Sequence, residues 1–157
     1  MELTADLFWS ADFFVDDRRM HALSAVSGRK LMKVLLAIAA GGAFGALARH
    51  FVNNQITHWL GDGFPWGILA ANVAGSFAMG VLAESMALVW SPSQELRAFL
   101  IVGLLGAFTT FSTFSLQIVL LYERGQMMLA AGYVASSILF AVGGLFAGLA
   151  IVRAVAA

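Results

Sequence analysis

The sequence contains no cysteine among its 157 residues, which excludes disulfides, thiolate metal sites and a cysteine nucleophile together. Proline is confined to Pro65 and Pro92, and charge is scarce: Lys plus Arg and Asp plus Glu number nine each, 11% of the chain, with zero formal net charge. No basic patch exists that could neutralise a run of phosphates, so the composition argues against nucleic-acid binding. No grouping of histidines and carboxylates suits a catalytic metal, and enzyme activity has no visible seat. Carboxylates are also missing from the middle of the apolar runs, since Glu84 lies eighteen residues beyond Trp66, near the far end of its run. A proton-coupled transporter relies on an ionisable group at mid-membrane, and that element is lacking.

What the chain has in abundance is hydrophobic surface, with 61% hydrophobic residues and a mean hydropathy of +0.86. Those values lie far outside ordinary soluble domains. A bilayer span takes about 20 mostly apolar residues, and the chain after Lys33 has room for four. The expected fold is therefore an all-α integral membrane protein, a four-span domain over residues 34–157 preceded by a tail over residues 1–33. That tail carries Asp12, Asp16, Asp17, Arg18 and Arg19 around the short apolar groups Leu7-Phe8-Trp9 and Phe13-Phe14-Val15. Such acid-punctuated groups do not make a secretory signal. A cytosolic or interfacial tail is one reading, and a translation start at Met20 or Met32 is the other.

The spans are expected at Val34 to Val52, Trp66 to Val89, Leu96 to Leu121 and Met127 to Val152. Asn53 to Pro65 reads as a polar, turn-prone connection. Trp90-Ser91-Pro92-Ser93 stops the second helix, because proline cannot continue it, and Ser93 is a good N-cap for the next. Tyr122 to Gln126 leaves room for a tight antiparallel hairpin. Lys and Arg are almost evenly shared between the two sides from Met32 onward, which permits insertion in both orientations and hence an antiparallel homodimer. A single orientation fixed by the basic residues of the tail is the alternative.

At membrane depth the polar groups are neutral. Asn72 and Ser76 share a face of the second span, as Tyr133 and Ser137 do of the fourth, each pair being four residues apart. In the third span Thr109, Thr110, Ser112, Thr113 and Ser115 surround Phe108, Phe111 and Phe114, with Gln117 a turn beyond. Hydroxyls and an amide donate hydrogen bonds without fixed charge, and a phenyl ring presents an electropositive edge. The set suits a small anion. Taken singly, each hydroxyl has a plainer use in bonding a carbonyl of its own helix, and each ring in packing. Gly103, Gly106 and Thr109-Thr110 also weaken the third helix in mid-span. Non-helical backbone at that depth persists only where it is buried in protein or faces a water-filled cavity, and carbonyls released there can coordinate a cation. A break is expected near Gly106 to Thr110.

Three strings in order, Gly41-Gly42-Ala43-Phe44-Gly45-Ala46-Leu47-Ala48-Arg49, then Pro65-Trp66-Gly67 leading to Asn72-Val73-Ala74-Gly75-Ser76-Phe77, then Gly103 to Ser115, resemble the Fluc (CrcB) family of fluoride channels. The resemblance covers nearly everything after Lys33; the tail has no counterpart. It implies a fluoride-selective channel of the plasma membrane, built as an antiparallel dual-topology homodimer with two pores along the subunit interface. It further implies a structural sodium ion held by backbone carbonyls of a broken third helix, which on matching positions are those of Gly106 and Thr109. The family's pore residues fall on Asn72, Thr110, Phe111, Ser112, Thr113 and Phe114, with Tyr133 and Ser137 on the fourth span, and its vestibule arginine falls on Arg49. Headgroup anchoring is a second role open to Arg49. Two positions depart from the pattern: Gln117 stands where many members have a carboxylate, and Ile68 where many have a threonine. A small four-span multidrug or guanidinium exporter would be expected to hold an acid inside its first span, and Val34 to Val52 contains none. A non-transporting scaffold packed through small residues is a third class.

Overall fold

The computed structural model describes residues 28–156, apart from the side chain of Arg29. The tail expected at residues 1–33 lies almost wholly outside the described residues. The described chain is helical, with four stretches long and apolar enough to cross a membrane, at Lys30–Leu60, Trp66–Leu88, Gln94–Glu123 and Met127–Ala156. The protein is thus a multi-pass membrane protein. Three of the four stretches are continuous helices: α1 (Gly28–Leu60), α2 (Trp66–Leu88) and α6 (Met127–Ala156). The third is assembled from α3 (Gln94–Arg97), a π-helical segment (Ala98–Leu105), α4 (Gly106–Phe108) and α5 (Phe111–Glu123).

Local chemistry sets the ends of these elements. Ser93 caps α3, its hydroxyl accepting from the Leu96 amide at 3.3 Å, directly after Pro92, which keeps α2 from running on into α3. Gly125 takes φ +72° in the hairpin before α6, a conformation that glycine reaches without steric cost. The connection expected over Asn53 to Pro65 is shorter than that: α1 runs on to Leu60, and the turn occupies residues 61–65. Hydropathy places the edge of the hydrocarbon near Val52, but nothing obliges a helix to stop where it leaves lipid. At 33 residues, α1 is about 50 Å long against about 30 Å of hydrocarbon. Its extension is held by packing, because a Cβ on Gly67 at the start of α2 would lie 2.7 Å from the Cα of Asn53.

Helices α2 and α6 run parallel, and small residues let them approach along their lengths. A Cβ on Gly80 would collide with the Leu145 carbonyl, one on Gly148 with the Phe77 carbonyl, and one on Gly144 would sit 3.2 Å from the Val73 carbonyl. In lipid, where burying apolar surface between helices gains little, such backbone proximity supplies the packing. The same device joins α1 to the third span: a Cβ on Gly45 would collide with the Leu104 carbonyl and lie 3.0 Å from the Phe108 amide. The core proper comprises Ile68, Leu69, Phe114, Leu121, Ala130 and Tyr133, so one of the expected anion-path rings lies within it.

Candidate functional site

The third span breaks at Thr109 and Thr110. Both residues are extended, with φ/ψ of −82°/158° and −155°/127°, and helix resumes at Phe111. This is the break expected from Gly106 to Thr110. The π-helical stretch before it was not foreseen; the Gly106 amide there reaches back five residues to the Ile101 carbonyl, and no residue pattern in Ala98–Leu105 announces it.

The amides and hydroxyls of Thr109 and Thr110 each have an identifiable partner. Asn72 on α2 faces the Thr110 peptide with both ends of its amide: Thr110 N–H donates to Asn72 Oδ1 at 2.8 Å, and Asn72 Nδ2 donates to the Thr110 carbonyl at 3.1 Å. Thr109 keeps helical bonds backward, its amide and its hydroxyl both donating to the Leu105 carbonyl at 3.0 Å. Its methyl group rests over Gly75, where a Cβ would collide with it. Thr110 caps α5, its hydroxyl accepting from the Thr113 amide at 3.3 Å and lying 3.2 Å from both Ser112 Oγ and Thr113 Oγ1. The expected hydroxyls at Thr110, Ser112 and Thr113 therefore form one connected track. Ser115 instead bonds the Phe111 carbonyl of its own helix at 3.0 Å, the plainer use open to any of them.

The break leaves the carbonyls of residues 106–109 without helical amides, and at the two positions that the resemblance assigns to sodium the bonds show where those amides have gone. In an unbroken helix the Gly106 carbonyl would accept from Thr110 N–H, which here goes to Asn72. The Thr109 carbonyl would accept from Thr113 N–H, which goes to the Thr110 hydroxyl. Released carbonyl oxygens are the donor set that a hard monovalent cation takes in broken membrane helices, so the two positions fit a sodium ion chemically. Among the described residues no cluster of His, Asp or Glu offers an alternative metal site.

The rings form a chain. Phe111 and Phe114 lie 5.6 Å apart between centroids, Phe114 and Tyr133 5.2 Å, and Tyr133 meets Phe64 edge-on at 5.5 Å. Phe64, on the α1–α2 turn, is a member that the sequence reading missed; its place before Pro65-Trp66 looked like part of a connection. Phe111 is 78% exposed and Phe114 only 9%, so the pair leads from a bare surface into the core. Behind Phe114 lie the buried hydroxyls of Tyr133 and Ser137, which approach each other and have no hydrogen bond within 3.5 Å among the described residues. Their donor capacity is therefore not taken up by the rest of the fold, and a buried hydroxyl without a good hydrogen bond costs about 1–3 kcal/mol.

The remaining expected residues are spread more widely. Arg49, on α1 one turn beyond Gly45, makes no ion pair or hydrogen bond among the described residues. Gln117 is half-buried and likewise without a hydrogen bond, while Ile68 belongs to the core at 4% exposure. Glu84 is buried, paired with Arg153 on α6 through Nε to Oε1 at 2.7 Å and Nη2 to Oε2 at 3.3 Å. That pairing was also missed, although two opposite charges near the same ends of parallel spans were a usable signal.

The chain matches the family model described as CrcB-like protein, Camphor Resistance (CrcB), over residues 36–149. It belongs to the CrcB family. Curated CrcB relatives carry the name "Fluoride-specific ion channel FluC". The chain is 60% identical over 122 residues to that of Rhodospirillum centenum, covering 78% of this chain and 97% of the relative. It is 50% identical over 121 residues to that of Nitrobacter winogradskyi, covering 77% and 96%. The protein from Rhizobium etli is 47% identical over 119 residues, covering 76% and 95%. The matches span nearly the whole of each relative, and the family model begins at residue 36 of this CrcB chain.

Proposed function

We propose that the protein is a fluoride-selective ion channel of the plasma membrane that exports fluoride passively and so limits its toxicity in the cytoplasm. The observation that carries this reading is the ring-and-hydroxyl path from Phe111 to Tyr133 beside a broken helix, in a chain so similar to proteins named fluoride-specific channels. It is a channel and not an enzyme, as its family is. Fluoride is strongly hydrated and leaves water only for several good donors. The hydroxyls of Thr110, Ser112 and Thr113 supply such donors at the surface of the break, and the buried hydroxyls of Tyr133 and Ser137 supply them inside. Asn72 retains one amide hydrogen beyond those engaged with Thr110. Between the two sets the ring edges of Phe111 and Phe114 stabilise the anion. No fixed cation stands on this path, so the ion is not bound too tightly to leave; Arg49 serves the vestibule, where it concentrates anions.

The working unit in this reading is an antiparallel dual-topology homodimer in the lipid bilayer, with two fluoride pores and a sodium ion held by the Gly106 and Thr109 carbonyls. The exposure of Phe111, and of Ser112 beside it, supports a second copy, because a polar surface facing hydrocarbon is costly and a second chain would cover it. A bound sodium would supply fixed positive charge away from the pore and would join the released carbonyls.

Reconstitution into liposomes tests the function. Fluoride efflux without chloride efflux is the expected result; proton-coupled cation uptake would mark an exporter, and no flux a scaffold. Topology reporters fused at the C-terminus should read on both sides of the membrane, and a uniform reading would rule out dual insertion.

A further inference from the structure

We propose that Asn72 is a positioning residue that keeps the third span broken, by standing in for the helical acceptor of the Thr110 amide. The argument begins with competition for one amide. A helix continuing through residue 110 would give Thr110 N–H to Gly106, whereas the Thr110 carbonyl, at the cap of α5, heads the following helix in either case. Asn72 offers the same peptide an acceptor at 2.8 Å and a donor at 3.1 Å from a separate helix. A side-chain primary amide carries a donor and an acceptor on separate atoms and can meet a peptide's N–H and C=O at once at any pH. The two bonds bridge 38 residues of sequence and are partly buried, in a medium that offers no water in exchange.

One turn along the same helix, Gly75 completes the socket by leaving room for the Thr109 methyl group. Helix α2 therefore templates the break within a single chain. Asn72 fixes the peptide, Gly75 admits the neighbouring side chain, and the Thr110 hydroxyl is turned to cap α5. Two consequences follow for the chemistry: the Gly106 carbonyl stays released, and the hydroxyl track begins at a fixed place. This deepens the channel reading and rests on it for flux, but the conformation itself is measurable without any flux.

The test is site-resolved hydrogen exchange on the full-length protein, in sodium medium and in sodium-free potassium medium, with fluoride and chloride efflux measured in parallel. In the unmodified protein the Thr110 amide should be protected equally in both media. Asn72→Ala should raise Thr110 exchange by about tenfold or more, the loss expected from one or two ordinary hydrogen bonds. Amides in the middle of α2 and α6 should not change. The same variant should lose fluoride-over-chloride discrimination by a similar factor, which general loosening of the fold would not produce selectively. If Asn72→Ala does not assemble, Asn72→Asp keeps an acceptor for Thr110 N–H without the donor. It should preserve Thr110 protection while lowering flux.

Unchanged Thr110 exchange in Asn72→Ala would overturn the proposal, most clearly if flux fell, since Asn72 would then act on the ion directly. Loss of Thr110 protection on removing sodium from the unmodified protein would overturn it as well, by making the cation the holder of the break. Absence of fluoride flux in the unmodified protein would defeat the channel reading while leaving the exchange result to decide this one.

Discussion

Arg153 donates from Nε to Glu84 Oε1 at 2.7 Å, tying the ends of two parallel helices through a carboxylate whose side chain is 6% exposed. A buried carboxylate is costly unless paired, so the two residues should be energetically coupled. Arg153→Ala and Glu84→Gln should each lower the thermal midpoint in detergent. The double variant should be more stable than Arg153→Ala alone, since it removes the stranded charge. A double variant whose loss equals the sum of the two would show that the pair is not coupled.

The ring pair predicts an asymmetric outcome. Phe111→Ile and Phe114→Ile should both reduce fluoride flux sharply, because an aliphatic side chain has no electropositive edge. Phe114 belongs to the core, so its variant should also lose stability, on the order of 1–3 kcal/mol for an imperfect core fit. Phe111→Ile, at an exposed position in the single chain, is the cleaner experiment. Undiminished flux in both would refute the path.

Tyr133 and Ser137 should separate function from stability. Each carries a buried hydroxyl with no hydrogen bond within 3.5 Å among the described residues, the mutual approach of the two hydroxyls being the one polar interaction they make, so Tyr133→Phe and Ser137→Ala should each change stability by no more than about 1 kcal/mol. Flux should fall several-fold in each, read by a fluoride electrode on liposomes. A variant that loses stability and keeps full flux would mean that the hydroxyl is structural.

Gln117 offers a pH test. An amide does not titrate, so the unmodified channel should show no flux dependence arising from this position. Gln117→Glu should introduce one, with flux falling as the new carboxylate ionises, because a fixed anion beside the path repels fluoride. Identical pH profiles for the two proteins would place Gln117 away from the ion.

Much of the fold was legible because hydropathy and helix-stopping residues act locally. Pro92 and Ser93 ended one span and began another as expected, and Gly106 to Thr110 broke the third. What escaped the sequence reading depends on contacts between distant residues. Helix α1 continues to Leu60 with Asn53 against Gly67 and Asn54 bonded to His50 one turn back at 2.9 Å, and the turn-prone reading of Asn53-Asn54 gave neither contact. Asn72 and Thr110 were each legible as polar residues at membrane depth, but their pairing across 38 positions was not. Phe64 joined the rings through its contact with Tyr133, a partner so far along the chain that periodicity cannot reveal it. The π-helical stretch has no compositional mark, since Ala98–Leu105 is uniformly apolar but for Gly103.

The central claim is selective passage of fluoride through the membrane, and electrical recording across a planar bilayer tests it most directly. With fluoride on one side and chloride on the other, a passive fluoride channel gives a current whose reversal potential follows the fluoride gradient and is unmoved by a proton gradient. A reversal potential that follows chloride, or a current that requires protons or a cationic substrate, would contradict the account.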